Sequence, residues 1–129
     1  MTSGLAYILT SDKPFETVVA NLEKGAAERM FRVLHVHDVK ATLAEKGFER
    51  GPLKIIEVCN SAFAYKALEK DINVALFMPC RFTVHTSGNT TVVTLGRPTM
   101  ISQMLPASEL EGLAKDVEET LKKVMEAAV

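Results

Sequence analysis

The side chains able to do chemistry are few and bunched near the middle of the chain. The only cysteines are Cys59 and Cys80, and the only histidines are His35, His37 and His85. Glu57 precedes Cys59 and Asn60 follows it, while Arg81 follows Cys80. A thiol just ahead of a helix N-terminus sits in partial positive charge, which lowers its pKa and suits it to nucleophilic or redox work. Cys59 has that position if Asn60 or Ser61 caps a helix, as a side-chain oxygen allows. Cys80 would then be the resolving partner. Histidines at i and i+2 of a strand point the same way. With a nearby Cys or Glu, His35 and His37 could therefore ligate Zn, Fe or haem iron.

Whether these groups meet depends on the elements that carry them. Lys54 to Val58 is a β-branched run and predicts a strand. Phe63, Ala64, Ala67 and Leu68 recur at helical spacing, and Asp71 and Asn73 end that helix. Val74 to Met78 is apolar throughout and predicts a buried strand. Pro79, lacking an N–H, bends the chain there, and Arg81 to Thr86 alternates as the next segment. Met30 to Val36 predicts a further strand. If Leu34 and Val36 face the helices, His35 and His37 face away. By the same rule Ile56 and Val58 are inside, leaving Glu57 and Cys59 outside. Phe82 and Val84 are inside, leaving Arg81, Thr83 and His85 outside. The expectation is one polar face holding His35, His37, Glu57, Cys59, Arg81 and His85, with the two thiols close if their strands are neighbours.

Each of these has a plainer reading, and together the plain readings outweigh the sharp ones. A half-exposed sheet carries scattered polar residues without forming a site, and a single bulge would flip part of the set. Buried cysteines behave more often as small hydrophobes than as reactive groups. Asp38, beside His37, reads as a helix cap facing the other way. Met78, Met100 and Met104 could line a ligand groove, with core filling the commoner use. No phosphate-binding loop, dinucleotide fingerprint, zinc-protease motif or nucleophile elbow is present.

The flanking chain supplies the rest of the frame. Leu5 to Thr10 predicts the first strand. Ser11 and Asp12 are cap candidates, Pro14 suits a first helical turn, and Phe15, Val18, Val19, Leu22 and Ala26 mark an amphipathic helix to about Arg29. Asp38 caps a helix over Lys40 to Lys46, with Gly47 as its stop. Thr83 to Thr86 and Thr91 to Leu95 form a hairpin around Ser87, Gly88 and Asn89. Met100 to Pro106 is a connector with exposed apolar residues. Ser108 and Glu111 form a capping box, after which Leu110, Leu113, Ala114, Val117, Leu121 and Val124 run down one face of a long final helix. The order is β-α-β-α-β-α-β-β-α. This is an α+β chain, a two-layer sandwich with helices on one face of a mixed or antiparallel sheet.

Composition narrows the function classes. A chain of 129 residues is expected to form one domain over 1–129 with one core. Hydrophobic residues make up 47% and charged ones 24%, the proportions of a soluble globular protein. A net charge of -1 gives no bulk field for nucleic acid or an anionic membrane, and aromatics at 6% with no Trp argue against base stacking. Leu5 to Leu9 is too short for a signal-peptide core, and no apolar run approaches the ~20 residues a membrane span needs. A cytoplasmic location is the expectation. Two cysteines there are expected reduced, and their spacing excludes a zinc knuckle or thioredoxin motif.

Several sequence pieces occur together in order: H-V-H-D-V-x-A-T-L from His35 to Leu43, then E-V-C-N, A-x-x-x-L-E-x-D and M-P-C-R. In these the chain resembles the domain of unknown function 302 family, from about Tyr7 through the C-terminal helix. The resemblance implies a compact α/β domain, mostly prokaryotic, that pairs with a second copy. It carries over no catalytic residue set and no cofactor. The expectation that follows is a homodimeric binding module for a small ligand or a protein partner. It would pair through the open sheet face or the Met100 to Pro106 connector, since both need a cover. Thiol redox or sulfur handling through Cys59 and Cys80, and metal or haem binding through His35 and His37, are the alternatives.

Overall fold

Alternation of apolar residues along five short segments decides the architecture. The computed structural model describes residues 4–129. Its elements are β1 (Ala6–Ser11), α1 (Phe15–Glu28), β2 (Arg32–Asp38), α2 (Val39–Ala44), β3 (Leu53–Cys59), α3 (Ser61–Lys70), a 3-10 helix (Ile72–Phe77), β4 (Cys80–Ser87), β5 (Thr90–Gly96), α4 (Thr99–Met104), a 3-10 turn (Pro106–Ser108) and α5 (Glu111–Ala128). The strands form one sheet in the order β1-β5-β4-β3-β2, and every neighbouring pair is antiparallel. The expected α+β sandwich is therefore observed, with a wholly antiparallel sheet.

One face of that sheet is the core wall. Ile56, Val58, Phe82, Val84, Val93 and Leu95 are all fully buried on it. Helices α1 and α5 lie over this wall and pack on each other through Val18, Leu22 and Ala26 on one side and Leu121, Val124 and Met125 on the other. Gly25 makes the close approach possible, because a Cβ there would sit 3.3 Å from Val124 Cγ1. Two helix starts follow the side chains expected of them, whereas α1 opens at Pro14 with no cap from Ser11 or Asp12. Asp38 accepts from Ala41 N at 3.0 Å to open α2, and Asn60 accepts from Phe63 N at 3.1 Å to open α3. Gly47 follows α2 with φ of 81°, a left-handed position that costs glycine nothing. Gly88, at φ 59°, and Asn89 form the two-residue loop between the paired Ser87 and Thr90.

Three expectations are corrected. Val74 to Met78 is not a strand. Asp71 accepts from Asn73 N at 2.8 Å and starts a 3-10 helix, of which only Val74 is buried. An apolar run of this length does not distinguish a strand from a short helix, and Pro79 keeps β4 from beginning before Cys80. Secondly, Leu34 does not face the core. The β2–β3 register shifts between Val33 and His35, so a bulge absorbs Leu34 and leaves it 49% exposed. Val33 takes the inward place opposite Val58. Thirdly, Ser108 and Glu111 make no capping box. Leu110 occupies the cap position without a side-chain bond, and the Ser108 hydroxyl donates instead to Asp71, tying the 3-10 turn before α5 to the end of α3.

Candidate functional site

The central strands β3 and β4 present different chemistry on their two faces. Val58 pairs with Cys80 on the core side, and Glu57 pairs with Arg81 on the open side. The residues singled out from the sequence divide between these faces and do not form one set.

On the open face, the bulge at Leu34 leaves His35 opposite Glu57. His37 Nε2 lies 3.4 Å from Glu57 Oε2, and Arg81 Nε lies 3.8 Å from the same oxygen. The His35 and His37 rings meet edge to face at 4.4 Å. Glu57 is thus a carboxylate with a cation on one flank and an imidazole on the other. The corner is wet: His35, His37 and Arg81 are all exposed. His85 shares the face but pairs with Leu53 and Val92. It sits four residues along β4 from Arg81, roughly 13 Å away, so it does not join them. Among the described residues no three His, Cys, Asp or Glu side chains are grouped to hold a metal ion. Next to this corner the open face is more apolar, with Leu53, Ile55, Ile8 and Val92 half-buried.

Cys59, the last residue of β3, pairs with Arg32 of β2 and also lines a cavity of about 80 Å³ together with Cys80. Phe63 and Ala67 of α3, Val74 and Phe77 of the 3-10 helix, Ile101 of α4 and Leu113 of α5 form most of the other walls. Asn60 lines it too, with its carboxamide committed to the α3 cap and to the Met30 carbonyl at 3.0 Å. Met78 lines the cavity, as one reading of the methionines expected, whereas Met104 is 59% exposed. Both cysteines are free. Burial pushes the Cys59 thiol up. Cys80 is pushed up to about 11, chiefly by burial and then by Cys59, against a smaller opposing effect of Arg81. Cys80 keeps some accessible surface, but its neighbours are apolar and they decide the direction. The helix N-terminus thus does not make Cys59 a thiolate at neutral pH.

Sequence reading missed one polar centre. Glu118 is 5% exposed and accepts from Thr99 Oγ1 at 2.7 Å and Thr99 N at 3.2 Å. Arg97 and Lys122 reach it at 3.2 and 3.3 Å. Burial would raise its pKa, but the Thr99, Lys122 and Arg97 contacts outweigh burial and hold it below its ordinary value. The signal was present: Ala114, Glu118, Leu121 and Met125 recur at i, i+4, i+7 and i+11, so Glu118 lies on the buried stripe of α5. Its role is to fasten α4 to α5.

A family model described as Domain of unknown function DUF302 matches residues 7–128. The chain belongs to that family. A crystal structure of an uncharacterized conserved DUF302 protein from Bacillus stearothermophilus superposes with a TM-score of 0.92 at 28% identity, covering 97% of this chain and 98% of that one. The resemblance carried by the His35 to Leu43 and M-P-C-R pieces is thereby confirmed. No curated protein matches. No helix among the described residues is long and apolar enough to cross a membrane.

Proposed function

We propose that this DUF302 protein is a binding module that takes the apolar end of a small ligand into the cavity beside Cys59 and Cys80. The observation that carries this reading is the cavity itself, walled by side chains from β3, β4, α3, α4 and α5 and open to the surface on one side. Its walls are almost wholly apolar, as ligand sites generally are. At about 80 Å³ it is smaller than the ~150 Å³ dry cavity that takes up benzene. It has room for a branched alkyl end, with the rest of the ligand outside. Ile72 and Leu76, on the 3-10 helix that walls the cavity, are 72% and 79% exposed. They offer apolar surface to that outer part.

A titration with n-alkanols of increasing length, followed by methyl shifts of Val58, Val74 and Leu113, tests the reading. Affinity is expected to rise about fourfold per CH2, as ~0.8 kcal/mol of transfer energy implies, and to flatten once the cavity is full. Shifts scattered over the whole surface, or no dependence on chain length, would refute it.

The second element of the reading is a second copy of the chain over the open sheet face. What supports it is the band of Ile8, Leu53, Ile55 and Val92, apolar and half-buried on one side of an otherwise two-layered molecule. Light scattering at micromolar concentration tests it, and a monomer would remove it. Thiol nucleophile chemistry fits less well, because both thiols are pushed up in pKa. Metal or haem binding at His35 and His37 fits less well, because among the described residues no third ligand is grouped with them.

A further inference from the structure

We propose that α3 and the 3-10 helix Ile72–Phe77 form a lid over the cavity, hinged at Asn60 and latched where Asp71 meets Ser108. This lid rests on the ligand reading of the cavity, because it is the route by which that ligand would enter and leave. Burial singles α3 out. Helices α1 and α5 press fully buried side chains into the core, Val18 and Leu22 from one and Leu121 and Met125 from the other. Helix α3 has no buried residue. Its Phe63, Ala64 and Ala67 line the cavity instead. Val74, the one buried residue of the 3-10 helix, lines it too. A side chain facing a void has no partner atoms there and forfeits that dispersion energy. Helix α3 is thus held over the core less firmly than α1 or α5.

The two ends of the helix are held differently. At its start the Asn60 carboxamide accepts from Phe63 N at 3.1 Å and donates to the Met30 carbonyl, at the α1–β2 junction, at 3.0 Å. Beside it Phe63 stacks on the buried Phe31, with ring centres 6.2 Å apart. That end is pinned by a polar and an apolar contact together. At the far end the backbone turns extended at Asp71, and the Asp71 carboxylate accepts from the Ser108 hydroxyl on the turn before α5. Apart from Asn60 and Asp71, no side chain among the described residues Asn60 to Phe77 makes a hydrogen bond or ion pair. Hinges lie at element ends that absorb a backbone change, and moving elements come from the less stable part of a fold. Asp71 and Ser108 are both partly exposed. Water can therefore replace either partner when the latch opens, and no buried polar group is left unpaired.

The test is amide hydrogen exchange of the whole protein, alone and with n-hexanol, together with the entry and exit rates of hexanol. In wild type the amides of Ala67 to Lys70 are expected to exchange at least about tenfold faster than those of Leu121 to Met125. Hexanol is expected to slow exchange in α3 and leave α5 alone. Ser108→Ala removes the latch. It is expected to speed exchange in α3 about tenfold, as loss of a hydrogen bond to a charged group implies, and to raise both hexanol rates, with α5 unchanged. Ser102→Ala is the control. It removes a hydroxyl bond of α4, to the Thr99 carbonyl at 2.7 Å, and is expected to leave α3 as in wild type. Equal exchange in α3 and α5, wild-type protection of α3 in Ser108→Ala, or a Ser108→Ala effect spread evenly over α1, α3 and α5 would each overturn the lid. If hexanol does not bind, the ligand reading falls, and exchange alone decides whether α3 opens about Asn60. If hexanol binds with the same rates in Ser108→Ala and wild type, the lid falls and the ligand reading stands.

Discussion

The wet corner around Glu57 and the dry cavity around Cys80 are built from the same two strands, one residue out of phase. In the corner, Glu57 has two partners at 3.4 and 3.8 Å, and water screens all three. In the cavity, the thiols have apolar neighbours and their pKa values rise. The comparison teaches that closeness of charged groups is a poor guide to where a fold concentrates chemistry. Exposed ion pairs contribute little, ~0–1 kcal/mol. A buried group, even a weakly polar one, has its charged form strongly disfavoured.

The largest effect should come from removing what the two regions share. Phe82 lies on β4 between Arg81 and Thr83 and is fully buried. Phe82→Ala is expected to lose about 3–5 kcal/mol, measured by urea unfolding, and to loosen corner and cavity together. Retention of wild-type stability would mean that the sheet core does not hold the two faces in common.

A change confined to the cavity should separate them. Ala67→Phe fills it from α3 and is expected to weaken alkanol binding at least about tenfold while costing about 1–3 kcal/mol of stability. The ring shifts of His35 and His37 should stay as in wild type by NMR. Movement of those rings would show that the regions are coupled.

Acid titration gives a smaller, signed effect. Glu118 has its folded pKa lowered, so its contribution is present above the ordinary carboxylate value and is lost as pH falls through the folded one. Thermal melts should therefore fall on acidification below about pH 4.5. Glu118→Gln should flatten that fall while lowering stability at neutral pH. The raised thiol values carry the opposite sense for reactivity: alkylation should be slow at neutral pH and speed up as pH rises, with Cys80 lagging Cys59. Smallest of all, Glu57→Gln should change stability by no more than about 1 kcal/mol, and a larger loss would mean that the corner is not screened.

The sequence carried the frame of this molecule well because its signals are local. Asp38 and Asn60 announce their helices, Gly47 and Gly88 their turns, and Ile56, Val58, Phe82 and Val84 their inward face. It carried the site badly because a site depends on phase. Leu34 is apolar and alternates correctly, and only the partner strand reveals that it is the extra residue of a bulge. Val74 to Met78 reads as a strand until Asp71 is seen accepting from Asn73 N. Cys59 alternates outward with Glu57, yet at the end of its strand it also lines the cavity. The cavity itself has no motif. Its walls come from five regular elements and a 3-10 helix, and nothing in any one stretch states that they converge.

The pairing order has a consequence for how the chain assembles. β4 and β5 close over a two-residue loop, and β3 joins them through α3 and the 3-10 helix. β1 has a single strand partner, β5, and Ala6 meets Gly96, far along the chain. Helix α1 likewise waits for α5, whose end receives Asn21 at the Ala128 carbonyl and Lys13 at the Val129 carbonyl. Closing such long loops is entropically slow. The N-terminal strand and helix are thus expected to dock last onto a preformed hairpin core, with φ-values near zero in β1 and α1 and high ones in β4 and β5.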